Sequence, residues 1–196
     1  MSIYRLKSGF QNLLRPLVGR LARSGVTANQ VTAAAAAISV ALGLLLFAAA
    51  SPAWFLLVPL WLFLRMALNA VDGMLAREHG QASRLGGYLN EIADVVSDAA
   101  LYAPFALVAP FGAGWIGAVI FLSALTEFGG VLGATHGNGR RYDGPMGKSD
   151  RAAVFGALGA WVGVAGGLPD WAFWLLPLLC AAMAWTVVNR VTAGLR

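Results

Sequence analysis

Six long apolar runs dominate this sequence and leave little of the chain for anything else. Each run has about the length that a helix needs to cross the hydrocarbon core of a bilayer. Hydrophobic residues make up 59% of the 196 residues and charged residues only 12%, which excludes a soluble globular domain. The sequence therefore predicts an all-α polytopic integral membrane protein with six transmembrane helices, at Val31–Ala50, Trp54–Asp72, Tyr88–Pro110, Trp115–Ala134, Ala152–Leu168 and Trp171–Val188.

Six helices and their short connections use nearly the whole chain, so we expect a single membrane domain over residues 1–196. Residues 1–24 alternate apolar side chains with Arg and Lys at near-helical spacing, which favours an amphipathic helix lying in the membrane interface. This segment lacks the compact apolar core of a cleavable signal peptide. Residues 25–196 would form the six-helix bundle. A single cysteine, Cys180, excludes a disulfide within the chain.

The basic residues orient the predicted bundle. Of the fourteen Lys and Arg residues, all except Arg65 fall at the termini or in or beside the second and fourth connections, which lie on one side of the membrane. The positive-inside rule makes this side cytoplasmic, with both termini inside, as expected for the inner membrane of a bacterium. The net charge of +5 then reflects topology and contact with anionic lipid, and no nucleic acid partner is expected.

Polar side chains recur at one-turn spacing on the second and third predicted spans. Asn69 and Asp72 share a face of one helix, and Asn90, Asp94 and Asp98 share a face of the next. Carboxylates at membrane depth persist only where they pair, bind metal or line a wet cavity. Because the connecting loop is cytoplasmic, both faces should meet near the inner leaflet. Oxygen ligands without clustered His or Cys favour a hard cation such as Mg²⁺, Mn²⁺ or Ca²⁺ over zinc.

Other residues near this face have two interpretations. The small residues Gly73, Ala76 and Gly86 would serve helix packing if they stood alone, but beside carboxylates they can also make room for a ligand. Glu127 lies inside the fourth span and must have a partner, either structural or in the binding of an acceptor. Arg65 is expected to pair with Asp98 or Glu127.

The spacing of these residues is specific. Asn69-x-x-Asp72-Gly73-x-x-Ala76-Arg77, eight further residues, and Gly86-x-x-x-Asn90-x-x-x-Asp94 resemble the signature of the CDP-alcohol phosphotransferase (CDP-alcohol phosphatidyltransferase) family. Every gap is preserved and six of eight fixed residues match, with Asn in place of the first and third aspartates. The pair Asn29 and Thr32 is similar to an Asn-x-x-Thr that opens the first helix in this family, and the segment 147–151 is similar to the basic start of its fifth helix.

The resemblance implies a membrane transferase of phospholipid synthesis. An alcohol would attack the β-phosphorus of CDP-diacylglycerol and release CMP, in a homodimer with one or two Mg²⁺ or Mn²⁺ ions per site. It implies a metal-ligand role for Asp72, a ligand or base role for Asp94, and ligand positions at Asn69 and Asn90. Donor-binding roles are implied for Asn29, Thr32, Gly73, Ala76, Arg77, Gly86, Lys148 and Arg151.

The two asparagines leave alternatives open. Asn oxygen ligates hard cations without adding charge, so metal affinity should be lower than with four carboxylates. The site could hold one ion, or two ions with Asp98 or Glu91 as an added ligand, or it could bind nucleotide or lipid without catalysis. A small transporter or scaffold with a polar seam is a further alternative. The sequence does not identify the acceptor, which can be a small alcohol or a phosphorylated one.

Overall fold

The computed structural model describes residues 3–49 and 51–196, with side chains described from residue 9 onward. The first two residues of the predicted interfacial segment and Ala50, the last residue of the first predicted span, lie outside this range. The described chain forms seven α-helices: α1 (Ile3–Arg23), α2 (Ala28–Ala48), α3 (Leu57–Glu78), α4 (Arg84–Tyr102), α5 (Ala113–Thr135), α6 (Lys148–Ala165) and α7 (Leu175–Gly194). The all-α fold class is confirmed.

Four of these helical segments are long and apolar enough to cross a membrane. Within the described part of the chain they are Ala28–Ala48, Pro52–Glu78, Ala113–Thr135 and Asp170–Gly194. The other two predicted spans are also helical, in α4 and α6, but both helices carry several charged side chains. The chain is therefore an integral membrane protein whose described residues include four helical segments able to span by length and composition, and six spans stay a prediction.

The first helix, α1, packs along α3. Val18 is completely buried there, with Leu14 and Leu21 packed against the same small cluster. Leu13 points away and is 75% exposed. An apolar side chain that leaves the bundle while its neighbours are buried is compatible with contact to lipid. The interfacial position of α1 itself stays a prediction.

Local hydrogen bonds bring the first turns of α2 and α4 together. Thr27 and Gln30 form a capping box at the start of α2, and Ser83 caps α4 by accepting from the Gly86 N–H. Between the two helices, Gln81 accepts from the Ala28 N–H at 2.7 Å and donates to the Val26 carbonyl at 3.3 Å. The loop between α3 and α4 is thus attached to the start of α2, and the polar residues of α3 and α4 lie at this end of the bundle.

The opposite end of the bundle holds the apolar core. Tyr102 of α4 stacks on Phe155 of α6 with ring centroids 3.8 Å apart, and Phe105 packs edge-on against both Phe155 and Phe55. Further along the α2–α4 contact, Gly43 lies directly against the carbonyl of Ala100, with no room for a Cβ atom. Because side chains fill the space at this end of the bundle, the polar cavities lie at the opposite end, beside the α3–α4 and α5–α6 loops.

Candidate active site

A cavity of about 300 Å³ lies between the first turns of α2 and α4 and the last turns of α3. Its wall contains six of the eight residues that the resemblance assigns to donor binding. The lining residues are Ala28, Asn29, Thr32, Asn69, Asp72, Gly73, Ala76, Arg77, Gln81, Ala82, Ser83, Gly86, Gly87 and Asn90.

Asp72 is fixed in this wall by a neighbouring helix. The Thr32 hydroxyl of α2 lies 2.7 Å from Oδ2 of Asp72 and 3.1 Å from the carbonyl oxygen of Ala28. Both side chains are buried. A hydroxyl that donates to a buried carboxylate lowers the cost of its charge, so Thr32 positions Asp72 and supports its ionised form.

Two glycines of the motif allow close approach. A Cβ atom on Gly86 would lie 2.8 Å from Oδ1 of Asn29, so a larger residue here would displace the Asn29 amide. A Cβ atom on Gly73 would lie 2.8 Å from the guanidinium of Arg77. Glycine at these positions therefore keeps the Asn29 amide and the Arg77 cation at the cavity wall.

A second cavity of about 340 Å³ adjoins the first, and Asn69 and Asn90 line both. On its floor Asp94 of α4 meets Lys148, the first residue of α6, through an ion pair at Oδ1 of Asp94. The lining residues are Asn69, Asn90, Asp94, Glu127, Arg140, Tyr142, Gly147, Lys148, Ser149, Asp150 and Arg190.

Beneath the second cavity lies a buried network of charges. Arg65 of α3 donates to Oδ1 of Asp98 at 2.6 Å and to the side chain and carbonyl of Asp94 at 3.2 and 3.1 Å. Arg151 of α6, with no exposed surface, donates to Oδ2 of Asp98 at 3.0 Å and to Glu127 at 2.9 Å. Four helices are thus tied together by paired charges, which is the form in which buried ions are tolerated.

Arg140, in the connection between α5 and α6, closes the side of this network. It donates to Glu127 at 2.8 Å and also pairs with Glu91. Burial lowers the pKa of the Arg140 guanidinium, but Glu91, Tyr142 and Glu127 together raise it by more, so this side chain stays protonated. Arg190 of α7 approaches Glu127 from the other side at 3.6 Å.

Negative and positive side chains are equal in number around the two cavities and in the buried network. Six carboxylates stand against six cationic side chains, namely Asp72, Glu91, Asp94, Asp98, Glu127 and Asp150 against Arg65, Arg77, Arg140, Lys148, Arg151 and Arg190. Such a site has no excess negative charge to attract cations.

The residues that the family resemblance assigns to donor binding lie at different places in the structure. Asn29, Thr32, Gly73, Ala76, Arg77 and Gly86 line the first cavity, and Lys148 lines the second. Arg151 lines neither, because its guanidinium is enclosed between α4 and α5. The expected pairing of Arg65 with Asp98 is observed. Both oxygens of Asp98 accept from arginines, an arrangement that favours a structural role over the predicted metal-ligand role.

Three features of the site were missed by sequence reasoning. The ion pair of Lys148 with Asp94 joins positions that are 54 residues apart, so no local sequence pattern predicts it. Glu91 faces Arg140 instead of the cavity floor. Arg190 lies two residues beyond the last predicted span, where the positive-inside pattern explains it as a topological charge, but α7 continues to Gly194 and places Arg190 at the second cavity.

The residues present fit a hard cation through oxygen atoms alone. Within residues 3–49 and 51–196 no group of three or more His, Cys, Asp or Glu is arranged to hold a metal. The donors near the shared wall are Asp72, Asp94 and the amides of Asn69 and Asn90. Nδ2 of Asn69 is buried without a hydrogen-bond partner in the described chain, so its amide is free to turn Oδ1 toward a cation. Two carboxylates suit one divalent ion better than two.

Comparison with known proteins decides the family. The model of the CDP-alcohol phosphatidyltransferase family matches residues 25–188. The chain belongs to this family. The predicted assignment is confirmed, and with it the function class of a CDP-alcohol phosphatidyltransferase, a membrane transferase of phospholipid synthesis.

Relatives extend over nearly the whole chain. The Escherichia coli inner membrane protein YnbA is 48% identical over 193 residues, covering 97% of this chain and 94% of its own. The phosphatidylinositol phosphate synthase of Mycolicibacterium smegmatis is 27% identical, covering 95% of this chain and 86% of its own. The similarity therefore includes the region before residue 25 that the family model leaves out.

Solved structures share the fold. The phosphatidylinositol phosphate synthase of Mycobacterium tuberculosis, in complex with manganese and citrate, superposes with a TM-score of 0.73 at 21% identity, covering 92% of this chain and 88% of that chain. The same enzyme with CDP-DAG bound gives 0.72 at 22% identity, covering 91% and 92%. At this identity the likeness establishes the arrangement of helices and not the substrate.

Proposed function

We propose that this CDP-alcohol phosphatidyltransferase transfers the phosphatidyl group of CDP-diacylglycerol to an alcohol and releases CMP. The observation that carries the proposal is that Asn69 and Asn90 form a common wall between two cavities of different character. Most of the residues assigned to donor binding line the first cavity, and the cationic side chains near Asp94 line the second. A solved protein of the same fold has CDP-DAG bound, which supports the choice of donor.

The nucleotide end of the donor would occupy the first cavity. Asn29 offers an amide for a base or ribose, and Arg77 offers a guanidinium for a phosphate. Gly73, which has no side chain, and Ala76, which has only a methyl group, leave room in this cavity for a bulky group. The pyrophosphate would then lie at the common wall, with its β-phosphorus facing the second cavity.

The acceptor would enter through the second cavity, where Arg140, Lys148 and Arg190 favour an alcohol that carries phosphate. Its hydroxyl oxygen forms the new bond to the β-phosphorus, and the bond from that phosphorus to the bridging oxygen breaks. CMP leaves with the bridging oxygen. The hydroxyl proton passes to Asp94, whose contacts with Arg65 and Lys148 both use Oδ1 and leave Oδ2 to accept it.

Asp72 and Asp94, with the amide oxygens of Asn69 and Asn90, would hold a divalent ion such as Mg²⁺ or Mn²⁺. When bound, such an ion neutralises the charge that the pyrophosphate gathers as CMP leaves. The manganese in the solved relative supports a divalent ion at this fold. The choice of ion and the number of ions are part of this proposal.

The membrane arrangement belongs to the same proposal. We infer six spans, with α4 and α6 crossing because their charges are paired inside the bundle, and α1 lying in the cytoplasmic interface. Both termini would face the cytoplasm at a bacterial inner membrane, supported by the distribution of Lys and Arg. A homodimer is proposed on the family resemblance, and light scattering of the detergent-solubilised protein tests it.

The decisive experiment is to incubate purified protein with CDP-diacylglycerol, Mg²⁺ or Mn²⁺ and a panel of alcohols that includes glycerol phosphate, inositol phosphate, inositol and serine. We expect CMP release that depends on one alcohol and on the divalent ion. An Asp94→Asn variant is the matched control and should release none. Thermal stabilisation by CDP-diacylglycerol without CMP release for any alcohol would instead identify a noncatalytic binding protein.

A further inference from the structure

The ammonium of Lys148 already occupies a place where a divalent cation would bind. It pairs with Oδ1 of Asp94 from the first turn of α6, in a region where the Lys148 side chain is 19% exposed and the Asp94 side chain 8% exposed. Arg65 reaches the same oxygen at 3.2 Å. One of the two carboxylates available for a metal thus carries two cationic partners in this structure.

Charge balance makes this arrangement consequential. Carboxylates and cations around the cavities are equal in number, so the site is neutral without any divalent ion. Adding an ion of charge +2 while all existing partners stay in place would leave uncompensated positive charge in a poorly hydrated region, which is unfavourable. In the absence of an anionic substrate, cation binding is therefore favoured when at least one positive side chain moves away.

The two partners of Asp94 differ in their freedom to move. Arg65 is held by Asp98 at 2.6 Å and by the carbonyl oxygen of Asp94 at 3.1 Å, and only 2% of its surface is exposed. Lys148 has Asp94 as its single hydrogen-bond partner among the described residues, and it lies at the wall of the second cavity. Its flexible stem allows the ammonium to turn into that cavity.

We propose that Lys148 is a built-in, exchangeable counter-cation of Asp94, which competes with the divalent ion and leaves this carboxylate when the ion binds. The inference rests on the proposed metal site. Once displaced, the ammonium lies in the second cavity, where it can pair with an anionic group of the acceptor. Binding of the divalent ion and binding of an anionic acceptor are then coupled, because each favours the same position of Lys148.

The test measures Mn²⁺ binding by the electron paramagnetic resonance signal of the free ion, in detergent and without nucleotide or acceptor. Replacement of the cation by a neutral side chain, Lys148→Gln, should tighten Mn²⁺ binding by about tenfold, since a like charge beside the ion is removed. Lys148→Arg keeps the charge and should bind Mn²⁺ as the unmodified protein does.

Arg141→Gln is the matched control for a general change in charge. Arg141 pairs with Asp143 at 3.0 Å outside both cavities, so its loss should leave Mn²⁺ affinity unchanged. Lys148→Met serves as a second neutral variant if Lys148→Gln does not fold, as judged by size-exclusion chromatography.

Unchanged or weaker binding in the neutral variants would overturn the inference, as would equal tightening in Lys148→Arg or no Mn²⁺ binding by any variant. The outcome is separate from that of the proposed function. Tightening by Lys148→Gln without CMP release for any alcohol would reject the activity alone, whereas CMP release with no effect of Lys148→Gln on affinity would reject the exchange alone.

Discussion

Arg151 and Asp98 form a two-point ion pair in the interior of the bundle: Nη2 and Nε of Arg151 lie 3.0 and 3.3 Å from Oδ2 of Asp98. The other oxygen of Asp98 accepts from Arg65 at 2.6 Å. A single carboxylate thus joins α3, α4 and α6 below the cavities. Removal of the Asp98 carboxylate would leave the buried charges of Arg65 and Arg151 uncompensated. Asp98 should therefore contribute more to folding than to the reaction.

We predict that Asp98→Asn destabilises the protein by about 3–5 kcal/mol, since two buried guanidinium groups lose their common counter-charge. The midpoint of thermal unfolding in detergent measures this. The matched control is Asp143→Asn, which breaks the ion pair with Arg141 at a side chain that is 40% exposed. That pair should be worth less than about 1 kcal/mol. Equal effects of the two substitutions would contradict the structural role of Asp98.

The exposed pair also has a predictable response to pH. Burial is the largest single influence and raises the pKa of the Asp143 carboxyl. Its hydrogen bonds with Arg141 and with the backbone at Tyr142 and Asp143, together with the charge of Arg141, lower this pKa by more in sum, so the net shift is downward. A depressed folded-state pKa contributes stability above the ordinary pKa of aspartate, and this contribution is lost as the pH falls through the folded-state value. Stability of Asp143→Asn and the unmodified protein should therefore converge on acidification, as thermal unfolding at a series of pH values would show.

Loss of Asp72 or Asp94 should affect activity and metal binding, whereas loss of the Glu127 charge should affect stability. We predict that Asp72→Ala and Asp94→Ala abolish CMP release and Mn²⁺ binding, because Asp72 lines the first cavity and Asp94 the adjoining second one. Glu127→Gln should mainly lower the unfolding temperature, since Glu127 accepts from Arg151 and Arg140 at 2.9 and 2.8 Å. Full activity in either aspartate variant would refute the proposed site.

Replacement of Asn69 and Asn90 by aspartate should strengthen metal binding, whereas loss of Asp72 or Asp94 should abolish it. Restoring acids at both positions, as Asn69→Asp with Asn90→Asp, adds two charges at the common wall of the cavities. Charge count is a main determinant of affinity for hard cations, so half-maximal activity should need less Mg²⁺ or Mn²⁺. A parallel metal titration of both proteins measures this. If the double variant only loses stability, these positions no longer serve a metal site.

Close packing of α2 on α4 should be sensitive to a single methyl group. Gly43→Ala places Cβ against the carbonyl of Ala100, a backbone atom that can yield only if the helices separate. We expect a loss of about 1–3 kcal/mol, as for overpacked cores, measured by thermal unfolding. Gly117→Ala is the control, because its Cβ would meet no atom within 4 Å. Alanine there should be neutral or slightly stabilising.

The proposed topology can be tested by cysteine labelling in a Cys180→Ala background. With both termini in the cytoplasm, Ala53→Cys should react with a membrane-impermeant maleimide from outside, and His136→Cys only after the membrane is opened. Both positions are exposed, and neither has a positive φ angle. The reverse pattern of labelling would place the cavities on the outer side of the membrane and would remove the proposed access of cytoplasmic substrates.

Much of the fold was predictable because the signal is periodic and local. Apolar runs of bilayer length mark the helices, and each of the six predicted spans overlaps a helix of the described chain. The third and fifth predicted spans were too long at their ends, because α4 ends at Tyr102 and α6 at Ala165. Spacing along a helix also placed Asp72 and Asn69 on one face and Asn90 and Asp94 on another, and the structure brings these faces to adjoining cavities. The match of the motif fixed the family for the same reason, since spacing within two helices is a property of the chain alone.

The sequence by itself thus determined the membrane setting, the helices and the family, because periodicity, composition and motif spacing act over a few turns. Only the tertiary structure decided which charge meets which. It enclosed Arg151 against Asp98 and Glu127, paired Lys148 with Asp94, and directed Glu91 to Arg140. The physical reason is that the free energy of a buried charge depends on partners from other helices. Packing angles and close approaches such as Gly43 against Ala100 set those contacts, and no local pattern records them.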